Sequence, residues 1–375
     1  METKPRVTVL FCLFVLAASA CSKKEQSTPT SSEPAASNEH GAPATAPSAA
    51  PLDADSQTYQ YQLGDVPVPP DNPQTKEKVE LGHQLFFDKR LSVDGSRSCY
   101  SCHQNEDGNG GHDPVAIGVG DKKLTRHSPV IWNVGYAKKL YWDGRSGTLE
   151  EQGKAVLGGP NMGLVKEKLD AKLKDLAKIA GYKKAFEAAF PGKGVTADTI
   201  AMALSAYERT LVCNDTAYDR YAKGEKTALT PEQKRGLVTF TTKAACTTCH
   251  TPPFFSIAFM SPDGAYFNAG IGTQGKAEAE VDVGRMAVSK QATDWAAFKP
   301  PSLRNVSKSA PYFHDGSVPT LKEAAHFMAS GGAKNKNLTP LLSDKQLSDT
   351  ELDDVVAFLG SLDCGKKLEQ PKLPK

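Results

Sequence analysis

Two pentapeptides carry the chemistry of this chain: Cys99-Tyr100-Ser101-Cys102-His103 and Cys246-Thr247-Thr248-Cys249-His250, 147 positions apart (246 minus 99). In each, two thiols can bond to the vinyl groups of a haem, and the histidine that follows can ligate its iron. A redox dithiol or half of a zinc site would use the same cysteines. Neither calls for a histidine directly after the second cysteine, and the motif occurs twice. The sequence therefore predicts two covalently bound c-type haems, with Cys99, Cys102, Cys246 and Cys249 as attachment residues and His103 and His250 as metal ligands. What each iron does then depends on what lies on its far side.

Helices must position these motifs. Before the first runs Glu77-Lys78-Val79-Glu80-Leu81-Gly82-His83-Gln84-Leu85-Phe86-Phe87, and before the second Thr230-Pro231-Glu232-Gln233-Lys234-Arg235-Gly236-Leu237-Val238-Thr239-Phe240. Each shows a glycine partway along a helix, a phenylalanine four or five positions later and a loop into the cysteines, which reads as a duplicated unit. Thr230 and Gln233 form a capping box with proline at the first turn. Thr196 can cap a helix whose Ile200, Ala203, Leu204, Tyr207 and Leu211 share one face. Ser348 and Glu351 cap another, with Leu352, Val355, Val356, Leu359 and Leu362 on one side. No alternating strand pattern of useful length appears. The expected fold is mainly α, two cytochrome-c-like haem domains with long ligand-bearing loops: residues 58–228 around the first motif, 229–365 around the second, and a tail at 366–375.

The beginning of the chain reads as an export signal: Lys4 and Arg6, an apolar run from Val7 to Ala18, then Ala18-Ser19-Ala20-Cys21. Residues 1–20 are expected to be a lipoprotein-type signal with lipid on Cys21, the alternative being a plain signal peptide. The apolar run is too short to span a bilayer. Residues 22–57, mostly Ser, Pro, Ala, Thr and Glu, cannot bury enough surface to offset ordering and form a disordered tether. A net charge of +2, from 45 basic and 43 acidic residues, points to no nucleic-acid partner. Cys213 and Cys364 lie outside the haem motifs. Export permits them to pair, and two free buried thiols are the alternative.

From about Tyr59 to Asp363 the chain resembles the bacterial di-haem cytochrome c peroxidase family, including its MauG-type branch. The resemblance rests on the two haem motifs together with Trp142-Asp143-Gly144-Arg145, Leu149-Glu150-Glu151-Gln152, Gly159-Pro160-Asn161-Met162, Phe298-Lys299-Pro300-Pro301-Ser302-Leu303-Arg304-Asn305-Val306 and Pro311-Tyr312-Phe313-His314-Asp315-Gly316. It implies that the C-terminal haem receives electrons and that Met328, fourteen residues after His314, is its second ligand. A thioether raises the potential, as an electron store requires. A core methionine is the bland reading of Met328, and His314 and His326 are nearby alternatives. The MauG branch has tyrosine there.

The resemblance makes the N-terminal haem the peroxide site. Many members cover that iron with a switching histidine, whose place here falls near Val119, and this implies a permanently open iron, with His112 as a competing ligand. Peroxide cleavage needs a proton shuttle and donors for the departing oxygen. Gln152 matches the family's glutamine ten residues after the tryptophan, whereas the family's glutamate falls on Asn161, which cannot shuttle a proton at neutral pH. Water or Glu151 would have to substitute. Trp142 matches the tryptophan that relays electrons between the haems, and Arg145 suits a haem propionate. Calcium, bound between domains in relatives, would need Ser309, Pro311 and an asparagine whose place is taken by His127, a poor ligand for that cation.

The leading expectation is an exported peroxidase reducing hydrogen peroxide with electrons from a small donor protein, a cytochrome c or a cupredoxin. It would sit in the periplasm, lipid-anchored to the outer membrane because no acidic residue flanks Cys21. The resemblance also implies a homodimer. The alternatives are a MauG-like oxidase acting on a protein or peptide and a non-enzymatic electron carrier.

Overall fold

A serine or threonine opens most of the helices. The computed structural model describes Ala54 and residues 63–375; the expected signal segment, Cys21 and most of the tether lie outside the described residues. Among the described residues the α-helices are α1 (Lys76–Phe87), α2 (Leu149–Gly158), α3 (Lys166–Lys178), α4 (Ala180–Ala189), α5 (Ala197–Glu208), α6 (Ala217–Ala222), α7 (Pro231–Thr241), α8 (Met286–Ser289), α9 (Leu321–Ala329) and α10 (Asp349–Gly360). The hydroxyls of Thr75, Thr148, Thr196, Thr216, Thr230, Thr320 and Ser348 each accept the backbone N–H three residues on. Such a cap contributes about 1 kcal/mol. The described residues form only isolated β-bridges and no sheet, so the mainly helical expectation holds. None of the helices is long and apolar enough to cross a membrane.

Two helix crossings organise two hydrophobic clusters. In the first cluster α1 packs across α5, with α4 alongside; in the second α7 packs across α10, with α6 and α9 alongside. A Cβ on Gly82 would lie 1.9 Å from the Ala203 carbonyl oxygen, and one on Gly236 would lie 1.8 Å from that of Asp354. Only glycine lets the backbones approach so closely. Phe86 and Phe240, four residues on, are buried beneath the crossings. The duplication read from the sequence is thus a duplicated helix contact.

Cys213 and Cys364 are bonded to each other. Residues 366–375, beyond the expected second domain, run back along the first cluster. Leu368 is buried there, Asn105 Nδ2 donates to its carbonyl at 2.9 Å, His83 Nε2 meets the Glu369 carbonyl at 2.6 Å, and Arg90 donates to that of Pro374 at 2.9 Å. In the second cluster the fully buried guanidinium of Arg304 grips Asp219 with two bonds of 2.8 Å. Burial pushes that carboxyl up, but the bonds and charge of Arg304 outweigh it and hold it below the usual range.

Candidate functional site

Both Cys-x-x-Cys-His motifs are 3₁₀ turns, Cys99–Ser101 and Cys246–Thr248, with all four thiols unbridged. The first turn is capped by Ser98, whose backbone N–H donates to Ser101 Oγ at 2.9 Å. In each motif the histidine Nδ1 is held by a backbone carbonyl, that of Asn109 at 3.2 Å for His103 and that of Phe255 at 2.9 Å for His250. Asn109 and Phe255, which supply these accepting carbonyls, both have left-handed backbones, φ 63° and 52°. Fixing Nδ1 leaves Nε2 as the nitrogen for iron. Asn109 also secures its surroundings, its side chain donating to the His103 carbonyl at 3.1 Å and accepting the Trp132 indole N–H at 2.8 Å.

Burial pushes the His103 imidazole down to about 4 and lowers that of His250, so both are neutral, as a ligand must be. Two adjacent thiols, a neutral histidine and a fixed ring orientation fit a c-type haem at each motif. A covalently held haem supplies a redox-active iron with a coordination position that protein or substrate can occupy.

A second duplication surrounds these turns. Pro129-Val130-Ile131-Trp132-Asn133-Val134 and Pro301-Ser302-Leu303-Arg304-Asn305-Val306 both place a left-handed asparagine, φ 62° and 61°, before a 3₁₀ turn. Asn133 Oδ1 accepts the Cys213 N–H at 2.8 Å, and Asn305 Oδ1 accepts that of Cys364, so each repeat presents one half of the disulfide. Further on, Leu140 bridges Ser146 as Tyr312 bridges Val318, with Tyr141 and Phe313 strained at φ 65° and 72°. Trp142 is therefore the counterpart of His314, α2 of α9, and Val156 of Met328. Where the second repeat offers a thioether, the first offers an isopropyl group with no donor atom.

The two repeats meet at these counterparts. His127 donates its backbone N–H to the His314 carbonyl at 2.7 Å, and Lys299 donates its own to the Trp142 carbonyl at 2.8 Å. The Trp142 indole N–H reaches the His127 carbonyl at 2.8 Å. His314 is buried and stacks on Phe298, ring centroids 3.7 Å apart. Arg126 ties the two sides together, bonding Asp143 at 2.6 Å and Asp282 at 2.7 Å.

Val119 sits against the turn bearing Asn161, its N–H donating to the Pro160 carbonyl at 3.2 Å. Gln152 is half-buried on α2, where its carbonyl accepts the Tyr141 hydroxyl at 3.4 Å. Glu151 is exposed and accepts the Gly147 N–H at 2.9 Å. His112 is exposed and pairs with Asp107 at 3.1 Å. Arg145 pairs with Asp143 at 3.0 Å and lies 3.4 Å over the Tyr141 ring. His127 spends its Nδ1 on the Asp113 carbonyl at 2.9 Å.

Met328 is half-buried on α9, whose Ala324 packs into the second cluster with Cys246 beside it. His326 is exposed and lines a cavity of about 230 Å³ with Asp344, Gln346 and Leu352.

Residues that the sequence reading passed over are Asn109, Phe255, Arg126, Asp282, Lys299 and Glu208. Burial pushes the Glu208 carboxyl, at the end of α5, up to about 8. Its neighbour Arg209 is engaged instead by Glu150 at 2.8 Å. The doubled Pro-x-x-x-Asn-Val segments were the signal that could have revealed the inner repeat and the disulfide.

Comparison with known proteins defines the class. The family model for di-haem cytochrome c peroxidase matches residues 76–227. The chain is 38% identical to the cytochrome c551 peroxidase of Pseudomonas aeruginosa over 312 residues, 80% of this chain and 83% of that protein. It is 34% identical to the methylamine utilization protein MauG of Methylorubrum extorquens, covering 82% and 85%. A crystal structure of a MauG-like protein associated with microbial copper homeostasis superposes with a TM-score of 0.76 at 30% identity, covering 82% of this chain and 95% of that one. The chain belongs to the di-haem cytochrome c peroxidase family. It is an oxidoreductase of the cytochrome-c peroxidase class, and the family's cofactor is a pair of haems.

Proposed function

We propose that this protein is an exported peroxidase in which the haem of Cys99, Cys102 and His103 takes hydrogen peroxide, while the haem of Cys246, Cys249 and His250 stores an electron with Met328 as its second ligand. The observation that carries this reading is the inequality of counterparts, Met328 on α9 against Val156 on α2 and no histidine at Val119. Reduction of one peroxide consumes two electrons and two protons and releases two waters. Trp142 would relay the electrons, a role that its bonds to both repeats support. Gln152 would donate a hydrogen bond to peroxide, and Asn161 would hold a water rather than a proton of its own. Arg145 is the residue assigned to a haem propionate, in exchange for Asp143.

The setting proposed with this reading is the periplasm, with a lipid on Cys21, attachment to the outer membrane, a small cytochrome or cupredoxin as donor, and a homodimer. Optical and EPR spectra of the isolated ferric protein, before and after peroxide, test the assignment. A high-spin signal that peroxide abolishes supports it; two low-spin irons inert to peroxide would leave only an electron carrier. The absence of histidine at Val119 also favours a MauG-like oxidase. In that case a co-secreted protein gains or loses mass on peroxide addition, while a reduced cytochrome is not turned over.

A further inference from the structure

Lys299 is a cation without a counter-charge. It follows the buried Phe298 and is itself mostly buried, and among the described residues no carboxylate stands within ion-pair distance of its ammonium, which lies 5.4 Å over the Phe259 ring. Burial alone pushes that ammonium down to about 8. Leaving such a charge unpaired costs several kcal/mol, so a buried lysine ordinarily has an anion.

The backbone fixes where that anion must be. The Lys299 N–H is committed to the Trp142 carbonyl at 2.8 Å. The next residues are bound to the loop that follows His250: Ser256 Oγ donates to the Pro300 carbonyl at 2.6 Å, and Ser302 Oγ donates to that of Phe254 at 2.7 Å. That loop carries both Phe255, whose carbonyl holds His250 Nδ1, and Phe259, under the ammonium. Lys299 thus stands beside the second haem motif at the seam with Trp142. The same position in the first repeat is His127, which ends in a buried Nε2 with no partner. Two counterparts at one seam, a buried imidazole nitrogen with no partner and an ammonium with no ion pair, indicate a shared role rather than an accident of packing.

We propose that the Lys299 ammonium pairs with a propionate carboxylate of the C-terminal haem and, through that charge, raises the haem's reduction potential. The inference rests on the presence of a haem at His250 and not on which haem meets peroxide. A fixed positive charge near the iron favours the reduced state, which carries one positive charge fewer. Lys299 is here a positioning and tuning residue.

The test is spectroelectrochemical titration of the holoprotein, which resolves both haems whether or not peroxide is turned over. Lys299→Gln should lower the midpoint of one haem, the one at the His250 motif, with about a tenfold shift in its one-electron equilibrium, ~59 mV. Lys299→Arg should keep the midpoint within about threefold of wild type. Coincident wild-type and K299Q midpoints would overturn the proposal, as would an equal shift in K299R, which would signal packing rather than charge. If K299Q fails to retain haem, retention by K299R supports a charge requirement, and loss by both counts against it. A protein inert to peroxide that still shows the shift would sink the peroxidase reading and leave this one standing.

Discussion

Trp142 and His314 occupy equivalent places in the two repeats, and their rings meet edge to face with centroids 6.4 Å apart at 66°. The seam between the haem motifs is therefore built from one structural position used twice, with an oxidisable indole on one side and a stacked imidazole on the other. Trp142→Phe keeps the aromatic contact but removes the indole bond to the His127 carbonyl. Stability should fall by about 1 kcal/mol. Steady turnover of a reduced donor should fall about tenfold or more, 1.4 kcal/mol of barrier, while rapid-mixing spectra of the ferric first haem with peroxide stay as in wild type. Unchanged donor turnover would remove Trp142 from the electron path.

Asn161 lies on the turn that receives the Val119 N–H through Pro160, and the proposed function puts it in the place of a proton-shuttling carboxylate. Restoring the acid in Asn161→Glu should raise kcat/KM for peroxide, by up to ~10²-fold, and give the rate a new dependence on pH. Steady-state kinetics across pH would show it. A flat response would mean that water already delivers the proton.

Glu208 links stability to pH. Burial raises its carboxyl from the usual glutamate range to about 8, so the fold prefers the protonated form. Its favourable contribution is complete below pH ~4.5 and is lost as pH rises through about 8. Glu208→Gln, which cannot ionise, should match wild type near pH 4 and exceed it in thermal midpoint at pH 9. Calorimetry at the two pH values decides; a wild type more stable than the variant at pH 9 would contradict the assignment.

Gly82→Ala and Gly236→Ala each drive a methyl group into a backbone oxygen of the crossing helix. Overpacking of this kind costs about 1–3 kcal/mol, and here a main-chain oxygen cannot turn aside as a side chain can. Both variants should melt earlier than wild type, and their yields of haem-loaded protein should fall. Equal melting temperatures would show that the crossings are looser than described.

Helix starts were legible because their signals are local. Thr196, Thr230 and Ser348 announce α5, α7 and α10 through hydroxyls that bond three residues away. The glycine-phenylalanine spacing of α1 and α7 was visible for the same reason. The far ends were less so: Leu211 and Leu362 extend the apolar stripes, yet α5 stops at Glu208 and α10 at Gly360, and both leucines are buried from the following loops.

The candidate site was legible in the cysteines and histidines of its two motifs. The contacts that orient it were not. Arg126 meets Asp282 from 156 positions away, and Asn133 meets Cys213 from 80. The atoms that hold the histidines are backbone carbonyls, which no residue type advertises. Lys299 was overlooked because a lysine in a loop reads as solvated, and its missing partner shows only in three dimensions.

The return of residues 366–375 to the first cluster has a consequence for biogenesis. Asn105, two residues past His103, closes against Leu368, and Gly181 at the start of α4 donates to the Lys375 carbonyl at 3.0 Å. The first haem motif is synthesised early, but the lobe that encloses it waits for a strap that follows 263 positions later. On the proposed function, haem would be joined to Cys99 and Cys102 while their lobe is still open, and the strap would then act as a closing band. A peptide fused beyond Lys375 would load this band, and its first effect should be on the haem more than 270 residues upstream (375 minus 103) rather than on the haem nearer in sequence.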